Sequence, residues 1–200
     1  RHTRLQGDWS SDVCSSDLEI LIITINPKKK IFDQQKTGDV AIINIDDEFS
    51  FKLFNQLKQD KNHKSDLIPI STRNILDKGV SFISGILYNK ILGNNNHYKI
   101  NPQFLVGQHN NENIAIAFAS VFCNLYKNHQ EKINNQNLNS IIDSIENFTG
   151  LKHRMQFLGR INNIAFYNDS KATNADAAYH ALKALDNIYW ILGEIGRAHV

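Results

Sequence analysis

Apolar positions along the chain follow two periods, one near two residues and one near three and a half. Val40-Ala-Ile-Ile-Asn-Ile45 is a short β-branched run followed by Asp46-Asp47, which predicts a buried strand handing over to a helix. Phe51, Phe54 and Leu57 then stand at helical spacing and predict one amphipathic stripe. Leu67-Ile-Pro-Ile70 reads as a second strand, with Pro69 placing it at a sheet edge. From Gly79 to Ile100, short alternations broken by Gly85 and by Gly93-Asn-Asn-Asn96 predict a small antiparallel meander.

Phe104-Leu-Val106 predicts one more strand, turning through Gly107-Gln-His-Asn110 into a long helix over 112–126. A second helix is predicted over 137–148, with Leu138, Ile141, Ile142 and Ile145 on one face and Gly150 as its C-cap. Beyond it, 155–158 and 164–167 alternate as a hairpin around Asn162-Asn163. A helix over 174–185 and a strand over 188–192 follow, so strand, helix and strand predict a βαβ unit. The expected fold class is α/β, with a domain boundary at 149–152.

The 200 residues are 42% hydrophobic and 21% charged, with a net charge of +2. That share supports a buried core, and no run of about 18 apolar residues predicts a membrane span. The near-neutral balance gives no electrostatic case for nucleic acid. Cys14 and Cys123 are too few for a disulfide framework and fit a reducing compartment; Cys123, within an apolar helix, reads as core. Asn and Ile each supply roughly an eighth of the chain, a bias missing from the first 18 residues. Segments 1–18 and 194–200 therefore read as foreign or truncated, and the chain as an internal piece of a longer protein.

Three stretches could carry chemistry. Asn168-Asp-Ser-Lys-Ala-Thr-Asn174 lies between an apolar strand and an amphipathic helix, with Thr173 and Asp176 at capping-box spacing. A loop at a strand's carboxyl end and a helix N-terminus presents unpaired N–H groups to an anion. There Lys171 adds charge, and Asp169 suits ribose or metal-linked water. An ordinary capped turn explains the same pattern. Gly107-Gln-His-Asn-Asn-Glu-Asn113 offers Asn110 and Asn113, whose amides match an adenine edge, although Asn110 could simply cap the helix. In Thr149-Gly-Leu-Lys-His-Arg154, Arg154 could reach a polyphosphate or lie on the surface, and His153 is as well explained by packing as by catalysis. Lys28-Lys-Lys30 is a phosphate patch or a solvated face, and His63, His97 and His129 have no metal-like company. No Gly-x-x-x-x-Gly-Lys-Ser/Thr string occurs.

In this order, Gly107-x-His-Asn-x-x-Asn113, Phe148-Thr-Gly-Leu-x-His-Arg154 and Asn168-Asp-Ser-Lys-Ala-Thr-Asn174 resemble the Mur ligase family. The last two resemble its D-glutamate-adding branch, and Asn44-Ile-Asp-Asp47 and Trp190-Ile-Leu-Gly193 fit it in order. The resemblance covers about 28–193. It implies the later part of a central ATPase domain (19–149, mixed sheet with helices) and the first βαβ unit of a Rossmann-like C-terminal domain (150–193). It also implies a cytoplasmic, monomeric enzyme of peptidoglycan synthesis that uses ATP and Mg²⁺. That enzyme would join D-glutamate to UDP-N-acetylmuramoyl-L-alanine through an acyl phosphate. By motif match, His109, Asn110 and Asn113 lie at the nucleotide, with Arg154 and Asp169 completing its site. Lys171 and Thr173 face the acyl phosphate and D-glutamate, Lys171 in a catalytic role. Lys28 matches the family's carbamylated lysine, a catalytic group that positions Mg²⁺. Lacking a P-loop, the chain alone is expected to be inactive. A related ligase for a different amino acid, or a non-catalytic nucleotide-binding remnant, would carry much of the same sequence.

Overall fold

The computed structural model describes residues 30–93, 95–105, 107, 109–129 and 133–193. Lys28, Cys14 and the two end segments 1–18 and 194–200 lie outside them.

Five strands form one sheet in chain order: β1 (Val40–Asn44), β2 (Asp66–Ser71), β3 (Val80–Ile83), β4 (Ile86–Asn89) and β5 (Asn96–Lys99). β1, β2 and β3 are parallel, while β3, β4 and β5 make the expected antiparallel meander. The sheet is therefore mixed, as its α/β patterning implies.

Alternation along β1 and β2 sorts their side chains onto two faces. Ala41 and Ile43 pack with Leu57, Leu53 and Phe54 of helix α1 (Glu48–Gln59). Ile68 and Ile70 face the opposite layer, made by helices α2 (His109–His129) and α3 (Asn135–Glu146). There Phe118 and Phe122 of α2 and Leu138, Ile141 and Ile145 of α3 meet Val80, Phe82, Leu87 and Ile100. Cys123 is buried in this core, as its helix predicts. Phe51 departs from the expected α1 stripe: it is exposed, and Leu53 takes its place against the sheet.

β2 is an interior strand, contrary to the edge position that Pro69 suggested. Asp66 and Ile70 bond across to the β1 side, so the Pro69 nitrogen points toward β3. β3 overlaps β2 only at Ile70 and Ser71, beyond the missing N–H. The short overlap also explains how residues 72–79, with no helix, link two parallel strands. They need not travel back along β2. Gly79 permits the approach: a Cβ there would lie 2.1 Å from the Pro69 carbonyl oxygen, and its φ is +110°.

Lys127, near the end of α2, donates to the Gly38 carbonyl and, at 3.2 Å, to the Asp39 carbonyl. It also pairs with Asp66 at 3.1 Å. The strand expected at 104–106 does not form among the described residues of that stretch. Instead the Asn101 and Gln103 amides bond Glu146 at 2.7 and 3.3 Å, tying this segment to the end of α3. Helix α3 closes on Asn147, whose side chain donates to the Asp143 carbonyl at 2.8 Å, so Gly150 lies beyond the cap.

Strands β6 (Gln156–Ile161) and β7 (Ile164–Asn168) form the predicted hairpin, with Asn162 and Asn163 both at positive φ. Helix α4 (Ala175–Ala184) follows. The strand expected at 188–192 is not formed. Tyr189 and Ile191 are 92% and 91% exposed, with no ladder partner among the described residues. A strand without a partner cannot pair its own N–H and C=O groups. The hairpin and helix of the expected βαβ unit are thus present without its closing strand. No described helix is long and apolar enough to cross a membrane.

Candidate functional site

A cavity of about 1300 Å³ opens between α2, α3 and the loops that flank the hairpin. His109, Asn110 and Asn113 stand on one turn of α2, and helical spacing carries that face on to Ala117 and Val121. The turn begins at Gly107, whose carbonyl accepts the Asn110 amide at 3.1 Å. A Cβ on Gly107 would meet the His109 ring at 2.8 Å and the Ala184 methyl at 3.0 Å. Glycine therefore lets the end of α4 close on the start of α2. Asn113 donates to the Asn110 side chain at 3.3 Å, so the two amides are aligned as a pair. Asn110 sits within the first turn and is not its cap.

Arg154, Asp169 and Lys171 line the facing wall. Their backbone is knitted together. The Met155 amide donates to Asp169 Oδ1 at 3.0 Å, and the Lys171 amide to the His153 carbonyl at 3.0 Å. His153 and Met155 flank Arg154 with φ of 66° and 43°, a left-handed conformation that costs roughly 1–2 kcal/mol per residue. Met155 is nonetheless buried, and His153 is exposed.

Six of the expected site residues thus share one cavity: His109, Asn110, Asn113, Arg154, Asp169 and Lys171. Thr173 is exposed and lines no part of it. Nor does it cap α4. Asn174 does so, its side chain accepting the Ala177 amide at 2.8 Å, because the helix starts one residue later than the capping-box spacing implies.

The matches to known proteins follow the same stretch of chain. No known family profile matches the sequence. It is 42% identical over 173 residues to the UDP-N-acetylmuramoylalanine--D-glutamate ligase of Rickettsia bellii (strain RML369-C), over 86% of this chain and 36% of that protein. The ligase of the same name from Rickettsia prowazekii (strain Madrid E) is 44% identical over 172 residues, with 86% and 35% covered. Over that stretch the chain is similar to ligases of the Mur type. It spans about a third of the length of the curated relatives it matches. A crystal structure of MurF from Acinetobacter baumannii superposes with a TM-score of 0.55 at 16% identity, over 81% of this chain and 32% of that one, a likeness of fold.

Two features are not legible in the sequence as sites. By sequence Asp46 is only the turn between a strand and a helix, yet it gathers Ser71 and Thr72 at the carboxyl end of the sheet. Asn168 and His153 join their side chains across 15 residues at 3.1 Å. The Asn-x-Asp-Asp and His-Arg strings mark both places, but spacing alone does not pair them. Among the described residues, no group of three or more His, Cys, Asp or Glu could hold a metal.

Proposed function

We propose that this chain carries part of the active site of an ATP-dependent ligase that joins D-glutamate to UDP-N-acetylmuramoyl-L-alanine in peptidoglycan synthesis in the cytoplasm. The observation that supports it most is the meeting of the Asn110–Asn113 amide pair with Arg154, Asp169 and Lys171 in one cavity. The division into a central domain (19–149) and a C-terminal domain (150–193) belongs to the same reading. It puts the cavity where the two meet.

In this reading His109, Asn110 and Asn113 take the adenine, Asp169 a ribose hydroxyl and Arg154 the polyphosphate. The substrate carboxylate oxygen attacks the terminal phosphorus of ATP, the bond to the bridging oxygen breaks, and ADP leaves. Lys171 faces the acyl phosphate so formed, offsetting the charge that builds on its oxygens. The amine of D-glutamate then attacks the acyl carbon, phosphate departs and the amine loses a proton. Thr173, outside the cavity, would meet D-glutamate only from the loop's outer side. Among the described residues no group of three or more His, Cys, Asp or Glu could hold Mg²⁺. Lys28, as the carbamylated lysine that would position that ion, stays a proposal from the family likeness.

The test is to replace the matching segment of the Rickettsia bellii ligase with residues 28–193 and measure phosphate release that depends on D-glutamate. Turnover with D-glutamate and its loss in Lys171→Ala are expected. Turnover with another amino acid alone would overturn the substrate, and nucleotide binding without turnover would favour a non-catalytic remnant. The 200-residue chain by itself, lacking a Gly-x-x-x-x-Gly-Lys-Ser/Thr string, is expected to release no phosphate.

A further inference from the structure

We propose that Asn168 is a positioning residue that fixes the tautomer of His153 and thereby holds Arg154 against the cavity; this rests on the nucleotide reading of that cavity. Asn168 Oδ1 accepts the Ser170 amide at 3.1 Å, so the amide group of its side chain has one permitted orientation. Its Nδ2, which can only donate, then faces His153 Nδ1 at 3.1 Å. Nδ1 must accept, and the imidazole proton is on Nε2.

The backbone conformation that this bond helps to hold is disfavoured on both sides of Arg154, and one turn bond, from the Arg154 amide to the Leu151 carbonyl at 3.2 Å, supports it locally. His153 is left-handed at φ 66° and exposed, and Met155 is left-handed on the other side of Arg154. The segment is kept in place by bonds to side chains and to the opposite loop. The His153 amide donates to Gln156 Oε1 at 3.0 Å, and the His153 carbonyl accepts the Lys171 amide at 3.0 Å. Asp169 Oδ1 takes the Met155 amide. Among the described residues only the Asn168 bond reaches the His153 side chain, and Asn168 stands on β7, a paired strand. A residue at the end of strand β7 thus steadies the loop that carries Arg154.

Asn168→Asp separates this role from a merely structural one. The aspartate keeps the oxygen that accepts the Ser170 amide but cannot donate, so the proton must move to His153 Nδ1. Long-range ¹H–¹⁵N spectra of the histidine-labelled chain read this directly, with His153 assigned by its loss in His153→Gln. The wild type should show a proton on Nε2, and Asn168→Asp a proton on Nδ1. An Nδ1 proton in the wild type, or an unchanged tautomer in Asn168→Asp, overturns the proposal.

ADP titration of the same chain supplies the second arm. Asn168→Asp should weaken binding about tenfold, and the double variant with Arg154→Ala should be no weaker than Arg154→Ala alone. Additive losses would overturn the coupling. Affinity indifferent to Arg154→Ala would overturn the nucleotide reading instead, while the tautomer still decides what Asn168 does.

Discussion

The Ser71 hydroxyl donates to the Asp46 carboxylate at 2.5 Å and joins the carboxyl ends of two neighbouring parallel strands. The other carboxylate oxygen accepts the Thr72 amide at 2.6 Å and its hydroxyl at 3.0 Å. Ser71 Oγ in turn accepts the Arg73 and Asn74 amides at 3.1 and 3.0 Å. One buried hydroxyl therefore organises the turn that carries the chain from β2 to β3.

Ser71→Ala removes the acceptor for two amides and a donor to Asp46, with no room for water at a side chain only 1% exposed. We expect a loss of about 2–3 kcal/mol in urea unfolding of the chain. A loss below about 0.5 kcal/mol would show that the loop finds other partners.

Gly79→Ala sets a methyl 2.1 Å from the Pro69 carbonyl, and backbone cannot yield as a side-chain tip can. The cost should exceed about 3 kcal/mol, visible as a lost or strongly lowered unfolding midpoint. Gly93→Ala is the control. Its φ is +78° but no atom lies within 4 Å, so only about 1 kcal/mol should be lost.

Asn174→Ala should cost about 1 kcal/mol by removing the cap of α4, and Thr173→Ala close to nothing. Thermal unfolding followed by circular dichroism separates them. The reverse order would return the cap to Thr173.

Burial pushes the Cys123 thiol up; Lys127 opposes the shift and Asp66 adds to it. A folded-state pKa above the ordinary 9.0 means that the unfolded chain loses its proton first. The thiol's contribution is thus complete below pH 9.0 and is lost as pH rises from there toward the folded value. Tyr98, also raised by burial, acts with the same sign. Melting temperature should therefore fall more steeply above pH 9.0 in the wild type than in Cys123→Ala. Equal slopes would remove the thiol from the account.

The meander, the two helices over the sheet and the Asn162-Asn163 hairpin were legible because each repeats its own period over several residues. Pro69 misled because an interior strand can hold proline where its neighbour has not yet begun to pair. The stretch at 188–192 looked like a strand by composition, but a strand exists only with a partner. The site was legible as three strings of polar residues. What spacing could not supply was the distance across the cavity, or that Asp169 and Asn168 hold the backbone and side chain of the Arg154 loop. Left-handed backbone at His153 and Met155 carries no composition signal of the kind glycine gives.

Helix α2 has 21 residues, roughly 30 Å end to end at 1.5 Å per residue. At one end it offers His109 and Asn110 to the cavity, and near the other Lys127 is moored to Gly38, Asp39 and Asp66, where β1 and β2 begin. The helix therefore works as a strut between the far rim of the sheet and the cavity-lining amides. Loosening Lys127 would move the cavity end of the helix without touching a residue that lines the cavity.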